Sequence, residues 1–591
     1  MAERPPAEAV TLLNSDVSQM SKVEKLKVES EGLFFVAGRE RQPFAAEIDA
    51  MAEGRAQTLS NEAKEISKHF GIYKQQERIE GRKSGDYIFM VRLKLPAGGE
   101  LSPAQWGILN EAAERYGNGT LRLTTRQGIQ FHYVSGKNLG ALVRHLAQQY
   151  ETSAQLSTLG ACGDVNRNTM CSPIDDLDPE LPLDSRALAI EIARELAPRS
   201  SAYVQIFLSD DEGRLVAPMS AEEPIYGRHY LPRKFKIGIA HPHDNSVDVL
   251  TQDVGLVPVI ENGRAARYEL YSGGGLGVTH NNPQTQALLG LYLGRIPREQ
   301  VVETARAIAI LQKENGERKN RRQARWKYTI RRLGVAQVKQ MLRERFGLHL
   351  EDAEPQPVPP VRFFHGWHRE ATRPEAGARR FLGLPVLSGR LQDADGMCQK
   401  TAVRKIVSEL GPHGVGVRIT GNQDLLLTHI PEERRDWVEG VLAEHGVPRE
   451  VSNVRRQSFA CPAKPTCGLA MTDAEHVLPQ YIRALEEAGL GDADVVLRMA
   501  GCPNSCSRPP SAEVGIIGYG KNDHIIQVGG SRSGTRIGRV LYERVPEHEM
   551  IPVLVGLFRA IREHERKGIA AESFLHDTPV EELRKLVGHQ E

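Results

Sequence analysis

The sequence predicts an α+β protein made of two similar halves, and three kinds of observation support this fold class. Strand-like and helix-like patterns alternate along the chain from about Tyr87. A proline-rich stretch over 351–362 falls between two such alternating regions. The region after this stretch repeats the pattern of the region before it. We therefore expect a duplicated chain whose halves are related by a pseudo-two-fold axis.

The elements of the first half are predicted by their hydrophobic periodicity. They are a β-like run from Tyr87, a helix-like pattern over 104–117, a long strand pattern over 120–134 and a helix-like pattern over 138–150. Further along are short β-like runs with glycine-rich turns over 160–290 and a charged helical pattern over 297–345. Four prolines within 354–360 then predict an extended linker.

The long strand pattern of the first half recurs in the second half. LRLTTRQGIQFHYV begins at Leu121 and VRITGNQDLLLTHI begins at Val417, and helix-like segments flank both copies. Three polar residues recur exactly 296 positions later, namely Arg122, Thr124 and Gln127 as Arg418, Thr420 and Gln423. An offset of this length excludes a solenoid of short repeats and indicates a duplication.

Length and composition limit the class of protein. The 591 residues exceed the roughly 250–300 that one hydrophobic core supports, so we expect several domains. Lys plus Arg number 76 and Asp plus Glu number 75, which argues against a globally basic nucleic-acid-binding protein. No apolar run approaches the roughly 18–20 residues of a membrane helix, and the first residues lack a signal-peptide pattern. We expect a cytoplasmic protein with no membrane and no nucleic-acid partner.

Four of the seven cysteines form two close pairs. Cys461 and Cys467 are six positions apart, and Cys502 and Cys506 are four positions apart. Four thiolates are what a [4Fe–4S] cluster needs, one for each iron. Zinc also accepts thiolates, but its usual C-x₂₋₄-C spacing fits the first pair less well. For the remaining three, Cys162, Cys171 and Cys398, a place in the core is favoured.

The cysteine segments FACPAKPTCGLAMTDAE and GCPNSCSRPPSAEVGIIG resemble the cluster motif of the nitrite and sulfite reductases that couple siroheme to [4Fe–4S]. RLTTRQGIQFH, GDVNRNTMC, LPRKFKIGIA and GGGLGVTH agree with the same family, and the resemblance covers about residues 20–570. It implies two ferredoxin-like half-modules plus two larger α/β modules about the pseudo-two-fold axis. It also implies siroheme and one [4Fe–4S] cluster as cofactors, with Cys506 shared by the cluster and the siroheme iron.

The resemblance and the composition shifts together suggest domain boundaries. In the first half we expect an N-terminal arm and wrapping segment at 1–84, a ferredoxin-like half-module at 85–152 and an α/β module at 153–350. A linker at 351–362 joins this half to the second. In the second half we expect a half-module at 363–448, an α/β module at 449–580 with the cofactor ligands, and a tail at 581–591.

A small anionic substrate requires several cations in its pocket. If LPRKFK is a strand, Lys234 and Lys236 share one face, with Arg233 and Phe235 on the other. A solvated basic strand end would show the same pattern. The resemblance makes these two lysines the substrate-pocket lysines and adds two arginines, Arg92 and Arg167.

Siroheme carries several carboxylates, so its binding site should be rich in donors. In a strand that begins at Leu121, the even-numbered residues share one face, unless a bulge near Gly128 shifts the register. Hydrogen-bond donors occupy this face, namely Arg122, Thr124, Arg126, Gln130 and His132. A solvent-facing polar side is the alternative. By resemblance, the siroheme-binding set is Arg122, Arg126, Gln130, His132, Arg233, Lys327, Asn504 and Cys506.

The resemblance implies a six-electron reduction of sulfite to sulfide of the assimilatory type. The alternative is a ferredoxin-dependent nitrite reductase, in which the position of Lys236 is typically Asn. Dissimilatory enzymes are disfavoured because their Cys-rich ferredoxin insertions are absent. A zinc-stabilised RNA-binding protein using the basic run 318–332 is a further alternative, although we expect most of that run to be solvated.

The sequence leaves the electron donor open. No nucleotide-binding motif opens a clear βαβ unit, so electrons should come from a partner, either ferredoxin or an NADPH-dependent flavoprotein subunit. We favour ferredoxin slightly and expect the chain to be monomeric by itself.

Overall fold

Each half of the chain supplies one antiparallel sheet built around a hairpin. The computed structural model describes residues 17–27, 43–79, 82–147, 156–198, 225–371, 377–394 and 396–589. The first sheet has the strand order Ile72–Ile79, Arg82–Leu93, Ile129–Ser135, Leu121–Leu123 and Arg390–Leu391. The second has the order Gly366–Arg369, Arg379–Leu384, Leu425–Pro431 and Gly416–Ile419.

The long strand expected over 120–134 is wrong, because this segment is a hairpin. The chain turns over residues 124–127, where Thr124 Oγ1 accepts from Gly128 N at 3.1 Å and Gln127 has φ +54°. The repeat forms the same turn, with Gln423 at φ +73°. A polar hydroxyl that accepts backbone N–H groups favours a turn over a continuous strand, which explains why this part of the repeat is polar.

The two halves exchange short strands, which is the structural sign of the pseudo-two-fold axis. Leu391 of the second half pairs with Leu121 of the first, and Leu101 of the first half pairs with Val417 of the second. Leu121 and Val417 are the equivalent first residues of the sequence repeat. Each hairpin is therefore completed by a segment from the other half, and the sheets form a joined centre.

A glycine permits each of these exchanges. Gly98 has φ +80° and a Cβ on it would lie 2.5 Å from the Ile419 carbonyl oxygen. Gly389 has φ +74° and a Cβ on it would lie 2.4 Å from the Leu123 carbonyl oxygen. Both the left-handed backbone and the close approach of the opposite hairpin exclude a side chain at these two positions.

The two α/β modules contain five-stranded sheets of the same topology. In order, the strands of the first are Met170–Cys171, Ile237–Ile239, Val254–Glu261, Arg264–Ser272 and Leu291–Pro297. Those of the second are Ser458–Ala460, Leu497–Ala500, Val514–Gly518, Asp523–Val528 and Arg539–Pro546. In each sheet the first three strands run parallel and the last two pairings are antiparallel. The duplication therefore includes the larger modules.

Helices pack on the faces of these four sheets and bury their apolar sides. In the first half they are Pro43–Ala52, Asn61–Ser67, Pro103–Tyr116, Gly136–Ala147, Ser185–Glu195, Val301–Asn315, Trp326–Leu333 and Val335–Phe346. In the second half they are Gln399–Leu410, Arg435–Glu444, Asn453–Arg456, Leu478–Glu487, Met550–Arg566, Ala571–Asp577 and Val580–Val587. Residues 22–27 are also helical, and Asp393–Ala394 pairs with Met397–Cys398 in a small hairpin.

The element bounds differ from the expected domain limits at both ends. Strand Arg82–Leu93 crosses the limit at residue 84, and strand Ile72–Ile79 of the expected wrapping segment belongs to the first sheet. Helix Val580–Val587 covers most of the expected tail that the structure describes. Residues 352–365 form neither helix nor strand, as four prolines dictate. Within the described part of the chain, every helix is too short or too polar to cross a bilayer.

Candidate active site

A cavity of about 720 Å³ lies where the first ferredoxin-like sheet, the first α/β module and the cysteine segments meet. Its volume falls within the range of about 300–1,000 Å³ that is usual for ligand sites. The lining contains all four paired cysteines and all four cations expected to bind the substrate. Of the residues predicted for the site, Lys327 alone is not among the described residues that line the cavity.

The fold brings the two cysteine pairs together at one sheet edge. Cys461 directly follows strand Ser458–Ala460, and Cys502 comes two residues after the neighbouring parallel strand Leu497–Ala500. Because parallel strands end at the same edge, these thiols meet there, and the turns that follow bring in Cys467 and Cys506. All seven cysteines lie in the described part of the chain, and none forms a disulfide.

The electrostatics of the four thiols fit a cationic cluster. Burial, together with the neighbouring cysteines, raises the pKa of Cys461 well above its ordinary value and raises that of Cys502 to about 12. Gly501 N donates to Cys461 Sγ at 3.3 Å, and Asn504 Nδ2 donates to Cys502 Sγ at 3.6 Å. Adjacent thiolates repel one another in a buried site, so bound iron ions would supply the compensating positive charge.

Two lysines enter the cavity from the edge of the first α/β module. Phe235 is fully buried and bridges to Asn166, which places the flanking Lys234 and Lys236 on the cavity side. Arg233 also lines the cavity, so the prediction that it lies on the opposite face from the two lysines is wrong. The cause is that the backbone bends at residues 232–233 and becomes a strand only at Ile237. Among the described residues, no acceptor binds either lysine ammonium.

Burial and neighbouring cations lower the pKa of both lysines well below the ordinary value. Arg167, Arg233 and Lys236 surround Lys234, whereas Arg126, Arg325 and Arg167 surround Lys236. A bound anion would reverse part of this effect, because it compensates the positive charge around the ammonium groups. The lysines therefore release a proton more readily than a solvated lysine, and a bound anion makes them take it up again.

Arg92 and Arg167 complete the group of cations. Arg92 lies directly opposite Gln130 in the sheet, and with its amide oxygen toward Arg92, Gln130 accepts from Arg92 Nε at 2.9 Å. Within the described residues, Arg167 Nε and Nη2 donate to the Gly163 carbonyl oxygen alone, at 3.4 Å each. Arg167 is 9% exposed, so its guanidinium has donor capacity left for a ligand in the cavity.

Arg122 and His132 belong to a network that sequence reasoning missed. Arg122 is fully buried and donates to Glu475, to the Leu123 carbonyl at 2.5 Å and to the Ala460 carbonyl at 2.9 Å. Arg390 binds both oxygens of Glu475 and reaches His132 Nδ1 at 3.1 Å. The network ties the first hairpin to the residue before Cys461, and it lowers the pKa of Glu475 to about 2 against the effect of burial.

Arg126 sits in the hairpin turn, and its side chain is anchored at the cavity wall. Arg126 Nη1 donates to Gln252 Oε1 at 2.8 Å, and Nη2 donates to the carbonyls of Asn168 and Ile237. Burial and the charge of Arg167 lower its pKa to about 9. The turn therefore presents a fixed guanidinium to the cavity from the same hairpin that carries Arg122.

Lys327 points to a loop and not to the cavity. It is fully buried, and Nζ donates to the carbonyls of Gly275 and Gly277 at 2.9 Å each and to that of Gln286. The loop packs on the second cysteine pair, because Val278 N donates to the Pro503 carbonyl. In this arrangement Lys327 shapes the glycine-rich loop beside Asn504, and its binding of a siroheme carboxylate stays a prediction.

The basic run 318–332 is largely internal, so the expectation that most of it is solvated is wrong. Arg318, Arg325 and Lys327 are buried. Arg325 binds both oxygens of Asp253 at 3.1 Å. The core placement expected for the unpaired cysteines holds for Cys162 and Cys171, which are fully buried, and is wrong for Cys398, which is exposed.

Two protein-family models match parts of this chain. The family model described as "Nitrite and sulphite reductase 4Fe-4S domain" matches residues 162–350. The model described as "Nitrite/Sulfite reductase ferredoxin-like half domain" matches residues 80–149 and 373–445. Both models fall on the duplicated modules described above.

Two curated relatives match over most of the chain. The sulfite reductase [NADPH] hemoprotein beta-component of Chromohalobacter salexigens is 36% identical over 94% of this chain and 95% of its own length. The sulfite reductase [ferredoxin] of Synechococcus elongatus is 34% identical over 96% of this chain and 91% of its own length.

One solved structure supports the fold. The Mycobacterium tuberculosis NirA protein superposes with a TM-score of 0.73 and 22% identity, covering 92% of this chain and 95% of the NirA chain. With the two family models and relatives above 30% identity, these similarities leave one interpretation. The chain belongs to the family of nitrite and sulfite reductases, which carry siroheme and a [4Fe–4S] cluster.

Proposed function

We propose that the protein is an assimilatory sulfite reductase that reduces sulfite to sulfide with six electrons. The observation that carries the proposal is the convergence of four thiols and four cations on one cavity. Siroheme and the [4Fe–4S] cluster supply one-electron transfer and the site at which the anion is reduced. The residues of the chain hold these groups, bind the anion and deliver protons.

In this proposal the cysteines hold the cluster. Cys461, Cys467, Cys502 and Cys506 would hold the cluster, and Cys506 would also help to hold siroheme. The siroheme carboxylates would be bound by Arg126, Gln130, His132, Arg233 and Asn504, whereas Lys327 would act through the glycine-rich loop that its ammonium holds beside Asn504. The full use of Arg122 donors by protein acceptors suggests that this residue acts mainly by fixing the hairpin against the cysteine segment.

The four cations bind and protonate the anion. Arg92 and Arg167 stay charged and act as a clamp, whereas the lowered pKa of Lys234 and Lys236 suits proton transfer to the oxygens that leave as water. Each cation about 4 Å from the anion contributes up to roughly 4 kcal/mol before desolvation, at an effective dielectric constant near 20.

The direct test of this function is sulfide production by the purified full-length protein. With an artificial one-electron reductant, we expect sulfide to form from sulfite, and we expect the protein to show the visible absorbance of siroheme. A colourless protein that contains zinc would overturn the proposal.

Sulfite binding should be accompanied by proton uptake. Both pocket lysines have a lowered pKa in the anion-free cavity, and the bound anion raises the pKa again, so anion binding shifts the lysines toward the protonated form. Calorimetric titration in two buffers of different ionisation enthalpy would measure the protons taken up. We expect less uptake by Lys234→Met, and equal uptake in both proteins would contradict the role of Lys234.

Lys236 should favour sulfite over nitrite, which is the substrate of the alternative function. Sulfite is the more highly charged anion, so an additional ammonium stabilises it more. We expect Lys236→Asn to shift the ratio of kcat/KM values toward nitrite by about tenfold or more, equivalent to roughly 1.4 kcal/mol. Both substrates would be assayed with the same artificial reductant. An unchanged ratio would remove the main argument against nitrite reduction.

We also propose that a separate protein donates the electrons. The names of the two relatives include NADPH in one case and ferredoxin in the other, and ferredoxin remains our first choice. Comparison of sulfide production with reduced ferredoxin and with an NADPH-dependent flavoprotein would identify the donor.

A further inference from the structure

A buried cluster of charged residues connects the N-terminal segment 17–27 to the cavity. We name it the N-terminal ion cluster, and it consists of Glu24, Lys27, Asp164, Arg233, Arg318 and Arg321. Four of its members line the cavity, namely Lys27, Asp164, Arg233 and Arg321. Of these six residues, the sequence predicted a role in the site only for Arg233.

Glu24 is the first of two carboxylates in this cluster. Its oxygens lie 2.6 Å from Lys27 Nζ, 2.5 Å from Arg318 Nη1 and 3.6 Å from Arg321 Nη1. The side chains of Glu24, Lys27 and Arg318 are all at most 2% exposed. The backbone joins the same region, because Ser21 N donates to the Arg318 carbonyl at 2.9 Å. Residues 21–27 are therefore bound to the Arg318 segment, and Lys27 reaches the cavity lining.

Asp164 is the second carboxylate, and it contacts the arginines that face the cavity. It lies 3.0 Å from Arg321 Nη2, 3.3 Å from Lys27 Nζ and 3.8 Å from Arg233 Nη1. Burial opposes its ionisation, but Arg321 and Lys27 hold the pKa of Asp164 well below the ordinary value. Asp164 therefore stays charged and fixes the positions of both arginines.

The charges of the cluster do not balance. Four cations face two carboxylates, and the adjacent His69 is neutral, since burial lowers its pKa to about 3. Lys68 also lines the cavity, but it is paired with Glu65 at 2.6 Å. Excess positive charge in a buried site is unfavourable unless an anion compensates it. Arg321 and Arg233 are the members open to such an anion, with side chains 26% and 32% exposed.

We propose that Arg321 binds a siroheme carboxylate beside Arg233, and that Glu24 is a positioning residue that holds Arg321 and Lys27 in place. The proposal rests on the role of Arg233 in the proposed function. It makes segment 17–27 a part of the cofactor site. Siroheme binding and docking of this segment then stabilise each other, because linkage between two equilibria is reciprocal.

Siroheme retention by full-length variants tests the role of each residue. We expect Arg321→Ala and Glu24→Gln each to lose siroheme to an excess of a scavenger protein roughly tenfold faster, the effect of one charge-assisted hydrogen bond. The matched control is Glu314→Gln, which removes the charge of another buried glutamate, paired with Arg345 at 2.7 Å and outside the cavity lining. Equal retention by Glu24→Gln and Glu314→Gln would overturn the positioning role.

A double variant separates this proposal from the role of Arg233. If Glu24 acts through the arginines, Glu24→Gln should weaken retention less in an Arg233→Ala, Arg321→Ala background than in the wild type. Full additivity would overturn the proposal. Unchanged retention by Arg233→Ala alone would instead refute the proposed role of Arg233.

Hydrogen exchange tests the linkage without any variant. We expect amides of residues 17–27 to exchange at least about tenfold more slowly in the siroheme-loaded protein than after siroheme is removed. Exchange of helix Val580–Val587, which is distant in the fold from the cavity lining, serves as the internal control. Equal protection of residues 17–27 in both states would overturn the proposal.

Discussion

A Cys467→Ser protein is expected to lose its cluster iron and its sulfite turnover completely. Serine replaces the soft thiolate with a hard oxygen ligand. Because its hydroxyl does not ionise near neutral pH, one iron loses its ligand. Cys467 N donates to the Ala463 carbonyl at 2.6 Å, which fixes the turn in which the thiol lies. Iron content, acid-labile sulfide, visible absorbance and sulfide production would be measured together. The same losses are expected for Cys461→Ser, Cys502→Ser and Cys506→Ser.

Cys398→Ser is the matched control for these substitutions. Cys398 is exposed in a small hairpin and is not among the cavity-lining residues, so its substitution should leave iron content and turnover unchanged. Full iron content with normal turnover in Cys467→Ser would refute the cluster assignment. Loss of iron in Cys398→Ser would show that the assay detects general destabilisation.

The paired cysteines could be predicted because their signal is local. Each pair spans a short turn, and the strand that precedes it has a simple apolar pattern, as with Cys461 after Ser458–Ala460. The sequence repeat also predicted the duplication, because Arg122 and Arg418 occupy equivalent strands of the two hairpins. In both cases the signal lies within short stretches of sequence, whose residues are also neighbours in space.

The features that were missed depend on distant partners. Glu24 meets Arg318 across 294 positions, and Arg122 meets Glu475 across 353 positions. A single sequence contains no signal for such pairs. The hairpin at Gln127 was missed for another reason, since its flanking residues alternate as in one strand while the turn depends on a left-handed backbone and the Thr124 hydroxyl. Lys327 illustrates the same difficulty, because carbonyls of a remote loop determine where its ammonium lies.

Arg167→Ala is expected to lower kcat/KM for sulfite by about one to three orders of magnitude, as removal of one well-placed charge from an active site does. The guanidinium lines the cavity beside both pocket lysines, and the acceptor that it has in the described part of the chain, the Gly163 carbonyl, is 3.4 Å away. In the Arg167→Ala variant, no other cation is therefore expected to replace the interaction between Arg167 and the anion. Steady-state kinetics with an artificial reductant would measure the loss, at constant siroheme content.

Two further variants distinguish direct binding of the anion by Arg167 from an effect of the net charge of the protein. Arg264→Ala removes a positive charge from the exposed first residue of strand Arg264–Ser272 in the same α/β module and should leave kcat/KM unchanged. Arg167→Lys keeps the charge but loses the planar pair of donors, so an intermediate value is expected if Arg167 binds two oxygens of the anion. If Arg167→Ala keeps the wild-type kcat/KM, Arg167 does not bind sulfite. The clamp would then consist of Arg92 and the two lysines, because these are the other predicted substrate cations that the fold brings to the cavity.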